Sequence, residues 1–328
     1  MVTVKSRILG SIWGNCVADA LGGPVQFLES GTFSPITDME FVKPFHQPAG
    51  SYSDDGAMTL ALAQSLIDTP RLYEHELAIQ YFLEWWKFGR FSTADEAWDV
   101  GVSTGQALSI WKKKGLADLE QTGQIISDKL RHEHCSGNGS LMRVGPVGTA
   151  LFFMPIAARQ VAKEQSQITH PALACVEACQ AYTDLMCWAM RGQAKTQLFQ
   201  RLVEFPFTHP VLIERLARHK SVSDWSSRTD AEIKSSGWVI DTLDCALWAF
   251  FKFDTWADGA LAVVNLGGDS DTAGAVYGAL AGVFYGFEAI PEKWVQQMQN
   301  ADLIREIAEK FAARVIKNAE CQGWRVVQ

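Results

Sequence analysis

The chain has 328 residues and lacks the cysteine pattern of a disulfide framework. Its seven cysteines, Cys16, Cys135, Cys175, Cys179, Cys187, Cys245 and Cys321, form no Cys-x-x-Cys pair, and an odd number cannot all pair within one chain. A reducing compartment, the cytoplasm, is the expectation. A long hydrophobic run is also missing. The best stretch, Thr272 to Phe287, offers sixteen uncharged residues rich in Ala and Gly, short of a membrane span. Near the N-terminus, Lys5 and Arg7 lead into Gly, Asn and Asp instead of an apolar core, so no secretory signal is expected. Positive charge is in short supply. The 29 Lys and Arg against 37 Asp and Glu give a net charge of −8, which argues against a general grip on nucleic acid. Sustained alternation of period two is scarce, and no repeat of solenoid length is visible.

Helical periodicity is what the sequence has in abundance. Ile8, Leu9, Ile12, Cys16, Val17, Ala20 and Leu21 recur at steps of three and four, and Gly22-Gly23-Pro24 ends that helix. Segments near 57–68, 74–88, 97–112, 144–163, 171–191, 239–253, 256–265 and 299–317 read the same way. Cys175, Cys179 and Cys187 fall at helical spacing as small buried hydrophobes. Gly274, Gly278 and Gly282 line one helical face, where a second helix can approach closely. Hydrophobic residues make up 48% of the chain and charged residues 20%, enough for a sizeable core. The pattern predicts one compact all-α domain over residues 1–328. Its chemistry should sit where loops meet helix starts, with long loops at 29–53 and 219–238.

Two separated motifs carry that chemistry. Tyr52-Ser53-Asp54-Asp55-Gly56 precedes an apolar helical run, with Ser53 as a natural N-cap. One aspartate there favours the helix dipole, but two adjacent carboxylates repel unless a cation neutralises them. Asn265-Leu266-Gly267-Gly268-Asp269-Ser270-Asp271-Thr272 again sets carboxylates and a hydroxyl just before a helix. Mg²⁺ and Mn²⁺ prefer such oxygen donors. Ser53, Asp54, Asp55, Asp269, Asp271 and Thr272 thus form a candidate ligand set for two ions. An EF-hand is excluded by spacing, and His132 and His134 lack partners for a zinc site. A third segment, Cys135-Ser136-Gly137-Asn138-Gly139-Ser140-Leu141-Met142-Arg143, reads as an anion cradle or as an ordinary turn before a helix.

At these residues the chain resembles the ADP-ribosylglycohydrolase family. The matching stretches are Ala18-Asp19-Ala20-Leu21-Gly22-Gly23-Pro24-Val25, Tyr52 to Asp55, Ser136 to Arg143, Val239-Ile240-Asp241-Thr242-Leu243 and Val264 to Ala275. They occur in the family's order and span roughly positions 7 to 295. The resemblance implies a compact all-α fold with a binuclear Mg²⁺ or Mn²⁺ centre at helix N-termini, held by the same six residues. It implies that Asn138, Gly139, Ser140 and Arg143 hold ADP-ribose, and that Asp99 acts in proton transfer beside Asp55 and Asp269. Asp19 and Asp241 match as well and read as structural. Ser53 stands for the commoner Thr, Trp238 for a Tyr facing the substrate, and Gln26 for a Glu. A glutamine accepts hydrogen bonds but takes up no proton at neutral pH.

The activity so implied is hydrolysis of the bond joining ADP-ribose to a modified acceptor, through a sugar cation that flanking carboxylates stabilise. The acceptor, whether arginine, serine, a nucleic-acid base or a small molecule, stays open. The partners are thus an ADP-ribosylated protein or small molecule and ADP-ribose itself. No membrane is involved, and nucleic acid enters only as a modified substrate. Two rival readings remain: an ADP-ribose-binding module with little turnover, which Gln26 favours, and a hydrolase of another N-glycoside.

Overall fold

The structure is a computed structural model and describes residues 2–324. Sixteen α-helices and no β-strand are present among the described residues. The first half holds α1 (Val4–Gly22), α2 (Asp54–Asp68), α3 (His75–Phe88), α4 (Val102–Lys114), α5 (Leu119–Leu130), α6 (Gly145–Ala150), α7 (Pro155–Gln167) and α8 (Leu173–Met190). The second holds α9 (Lys195–Val203), α10 (Pro210–Ala217), α11 (Val222–Ser226), α12 (Val239–Lys252), α13 (Trp256–Val264), α14 (Ser270–Tyr285), α15 (Glu292–Gln297) and α16 (Ala301–Cys321). None of the described helices is long and apolar enough to cross a membrane.

The axis of the fold is the pairing of α1 with α14. Both are buried almost throughout, so their small residues must meet backbone to backbone. A Cβ on Gly14 would stand 2.2 Å from the Gly278 carbonyl oxygen, and one on Gly278 would stand 2.1 Å from that of Gly14. Gly10 and Gly282 oppose each other in the same way. Only glycine permits this approach. It also sets the register that matters for chemistry, because a Cβ on Gly22 would lie 2.5 Å from the Asp271 Cα. Ser270 Oγ donates to the Gly22 carbonyl at 3.0 Å, fixing the start of α14 beside the end of α1. The expected glycine face is thus the device that brings Asp19 next to Asp271.

Ser53 caps α2 as anticipated, its Oγ accepting from the Asp55 N–H at 3.3 Å. Two expected helices are drawn differently. The 144–163 stretch is two helices, α6 and α7, because Pro155 cannot extend a helix through Met154. The 97–112 stretch begins only at Val102, because Asp99 adopts the left-handed conformation at φ +56°. Asp99 is therefore a loop residue and not a helix-surface carboxylate. The 219–238 segment contains α11 and is pinned to α12 by charge. Asp244 accepts from Arg228 (2.8 Å), Arg218 (3.1 Å) and Arg215 (3.2 Å), while Ser236 donates to Asp241 at 2.8 Å. Asp241 is structural, as read.

Candidate active site

Three helix ends meet at the floor of one cleft. Asp19 on the last turn of α1, Asp55 on the first turn of α2 and Asp271 on the first turn of α14 bring carboxylate oxygens within 4.8 Å of one another, all buried. Asp19 accepts from the Ser53 N–H (2.9 and 3.0 Å) and the Gly56 N–H (2.8 Å), so it also anchors the start of α2. Ser53 Oγ donates to Asp55 Oδ2 at 2.9 Å, and Thr272 Oγ1 donates to the same oxygen at 3.3 Å. Asp269 Oδ2 accepts from the Asn138 amide at 2.5 Å. Asp54, Asp99, Asp269, Asp271 and Thr272 line the cleft, whose volume is about 360 Å³.

The electrostatics of this floor are unbalanced. Burial raises the Asp19 carboxyl to about 7, against the pull of the Ser53 and Gly56 N–H groups. Burial, then neighbouring carboxylates, pushes Asp54 and Asp271 well above the ordinary range, and burial followed by Asp19 does the same for Asp55. Asp99 rises to about 6 through burial and the Asp269 charge. Among the described residues, no lysine or arginine lines the cleft. Buried like charges without a counter-ion demand protons or cations. Asp55 Oδ1 is buried without any partner, and Asp19 and Asp271 set further carboxylate oxygens within 4.8 Å of its carboxylate. This is the donor chemistry of a hard divalent cation.

One wall of the cleft is the 136–139 loop. It is held by the Gly237 carbonyl, which accepts from the Asn138 N–H at 3.1 Å, and by the Ser136 carbonyl, which accepts from the Val239 N–H at 3.0 Å. Gly137, Asn138 and Gly139 line the cleft beside His170. A Cβ on Gly139 would stand 2.8 Å from His170 Cε1, so that position must stay glycine. Burial, then Arg143, lowers His170 to about 3, which leaves the ring neutral at any working pH.

Not every expected residue reaches the cleft. Arg143 is fully buried behind the wall. Its guanidinium donates to Gln165 Oε1 (3.0 Å), the Gln165 carbonyl (3.0 Å) and Thr169 Oγ1 (2.8 Å), and it stacks on Phe82. With those donors committed, it supports the loop and does not touch a ligand in the cleft. Ser140 is likewise buried, against Ser166 Oγ at 2.9 Å. The Trp238 indole N–H points to Glu133 at 3.3 Å, outside the cleft lining. Gln26 is buried beside Asp99.

A family model described as ADP-ribosylglycohydrolase matches residues 1–321. The chain belongs to the ADP-ribosylglycohydrolase family. It is therefore an enzyme of the class that hydrolyses ADP-ribosyl glycosidic bonds. It is 29% identical to the ADP-ribosylarginine hydrolase Tri1 of Serratia proteamaculans, over 92% of this chain and 78% of that one. It is 25% identical to the ADP-ribosyl-[dinitrogen reductase] glycohydrolase of Rhodospirillum rubrum, over 95% and 96% of the two chains. A solved ADP-ribosylglycohydrolase-related protein complex superposes with a TM-score of 0.78 at 29% identity, covering 95% of this chain and 99% of that one.

Within this ADP-ribosylglycohydrolase, sequence reasoning left three residues at the cleft unassigned. Asp19 was read as structural, and so it is, but its carboxylate also joins the acidic triad. The signal was an aspartate on the buried stripe of an apolar helix. His170 and Thr104 line the cleft from elements with no acidic motif. Nothing local in the sequence marks Thr104, and His170 stands out only through the vague family resemblance around Thr169-His170-Pro171.

Proposed function

We propose that this ADP-ribosylglycohydrolase releases ADP-ribose from an arginine-linked acceptor with the help of two divalent ions, Mg²⁺ or Mn²⁺. The observation that carries the reading is the convergence of Asp19, Asp55 and Asp271 from three helices in one buried carboxylate cluster, of which Asp271 lines the cleft. Ser53, Asp54, Asp55, Asp269, Asp271 and Thr272 hold the ions. Ions bound there would orient ribose hydroxyls and lower the pKa of water. Asp99, in the cleft and raised to about 6, takes or gives the proton, and its neighbours Asp54 and Asp269 stabilise positive charge on the ribose ring. Neutral His170 and the Gly137 and Gly139 backbone face the pyrophosphate, which meets no lysine or arginine of the described residues in this cleft. The whole chain, 1–328, acts as one domain, its ends at Met1 and 325–328 lying outside the described residues.

An arginine acceptor is supported by the same charge balance. The leaving guanidinium is a cation, and the cleft that receives it holds Asp99, a carboxylate outside the ion-holding set, beside Asp54, Asp269 and Asp271. Two relatives at 29% and 27% identity are named as ADP-ribosylarginine hydrolases. Release of ADP-ribose from arginine-linked and serine-linked adducts, with Mg²⁺ and with EDTA, tests this. Arginine-linked ADP-ribose is released only with metal. Equal release in EDTA removes the ions from the account, and release from serine alone removes the acceptor.

A further inference from the structure

We infer that Phe27 is an acceptor platform, a ring on which the planar guanidinium of the substrate arginine stacks at the mouth of the cleft. The inference rests on the arginine reading above and adds the residue that selects it. Phe27 lines the same cleft as Asp54 and Asp99, yet 63% of it is exposed, so its ring is not there to fill the core. Its backbone sits at φ +67°, a left-handed conformation that a side-chain-bearing residue adopts only when its surroundings impose it.

Those surroundings are specific. The Phe27 N–H donates to the Gly268 carbonyl at 2.6 Å, and the Gly268 N–H donates to the Leu28 carbonyl at 2.8 Å. Gly267 and Gly268 are themselves at φ +67° and +63°, and a Cβ on Gly267 would stand 2.4 Å from the Leu28 oxygen. The glycine pair ahead of Asp269 therefore does two things: it leads the chain into the acidic floor and it clamps Phe27 at the mouth. The ring packs edge-on to Phe45 at 6.3 Å, and Phe45 leans on Trp98 at 5.3 Å, the residue before Asp99. On the other side of Phe27, the buried Gln26 amide lies beside Asp99.

An aromatic ring and a carboxylate thus flank one end of the cleft, both held in left-handed backbone. A guanidinium is planar, weakly hydrated and positive, and it satisfies both at once by stacking on the ring and pairing with the carboxylate. A phosphate satisfies neither, and a serine hydroxyl can donate to the carboxylate but offers no planar cation to the ring. The 137–139 loop with His170, which lines the same cleft, offers N–H donors and suits the anionic part of the substrate.

The test compares wild type, Phe27→Ala, Phe27→Leu and Phe27→Trp, all loaded with Mg²⁺, on arginine-linked and serine-linked ADP-ribose. Inhibition by free ADP-ribose is measured in parallel, and melting temperature reports folding. Phe27→Ala and Phe27→Leu lower kcat/KM on the arginine adduct by about 3- to 30-fold, the range of a cation–π contact. Phe27→Trp retains it, and inhibition by ADP-ribose is unchanged in all four proteins. Phe27→Ala or Phe27→Leu with wild-type kcat/KM on the arginine adduct overturns the inference. So does a matching loss of ADP-ribose inhibition, which would place adenine or ribose on the ring. A wild type that acts on serine adducts alone refutes the platform but not hydrolysis, whereas a wild type inert on every adduct refutes both.

Discussion

Asp99→Asn lowers kcat for ADP-ribose release by about 10²–10⁴-fold, the usual worth of a positioned general acid or base. The substitution keeps volume, and asparagine tolerates the left-handed φ of +56° as well as aspartate does. The loop and the melting temperature should therefore persist while the titrating oxygen is gone. Gln26 stands buried beside Asp99, so it faces the same reacting region but cannot move a proton. Gln26→Glu accordingly changes kcat little and does not rescue Asp99→Asn. The check is single-turnover release under saturating Mg²⁺. An Asp99→Asn enzyme within about tenfold of wild type would give the proton to another group.

Removing metal should make stability fall with rising pH. Asp19, Asp54, Asp55, Asp99, Asp269 and Asp271 all have carboxyls raised in the folded chain, to about 7 for Asp19 and about 6 for Asp99. A raised carboxyl contributes its stability in the protonated form. That contribution is complete below the unfolded value near 4 and disappears as pH passes the folded value. For Asp19 alone, a displacement from 3.8 to about 7 amounts to something on the order of 4 kcal/mol by pH 8. In EDTA the melting temperature should drop by several degrees or more between pH 5 and pH 8. Saturating Mg²⁺ takes over the role of the protons, so the gain from metal widens toward pH 8. Parallel melting curves with and without metal across that range would mean that the carboxylates hold no cation.

The helices were legible because burial imposes a period, and the most informative pattern was the smallest one. Gly274, Gly278 and Gly282 marked a close helix pair, and Gly10 and Gly14 on α1 meet Gly282 and Gly278 as that face requires. The acidic motifs were legible because carboxylates beside a helix start repel without a counter-ion. Arg143 was misplaced by proximity in sequence. It follows the Ser-Gly-Asn-Gly loop directly, but Gln165 and Thr169, more than twenty residues on, turn its guanidinium inward. The start of the 97–112 helix was misplaced because a single left-handed residue, Asp99, ends helical periodicity without changing the apolar pattern around it. His170 depends on α7 and α8 folding back against the loop, a placement that the vague resemblance around Thr169-His170-Pro171 did not reveal.

Metal analysis of the purified chain is the most direct test of the account. Wild type, Asp55→Ala and Asp269→Ala are equilibrated with Mn²⁺, freed of excess, and measured for bound ion and for helical circular dichroism. The account predicts two ions per chain in wild type and fewer in each variant, with the helical signal retained. Unchanged ion content in both variants, or none in wild type, would contradict it.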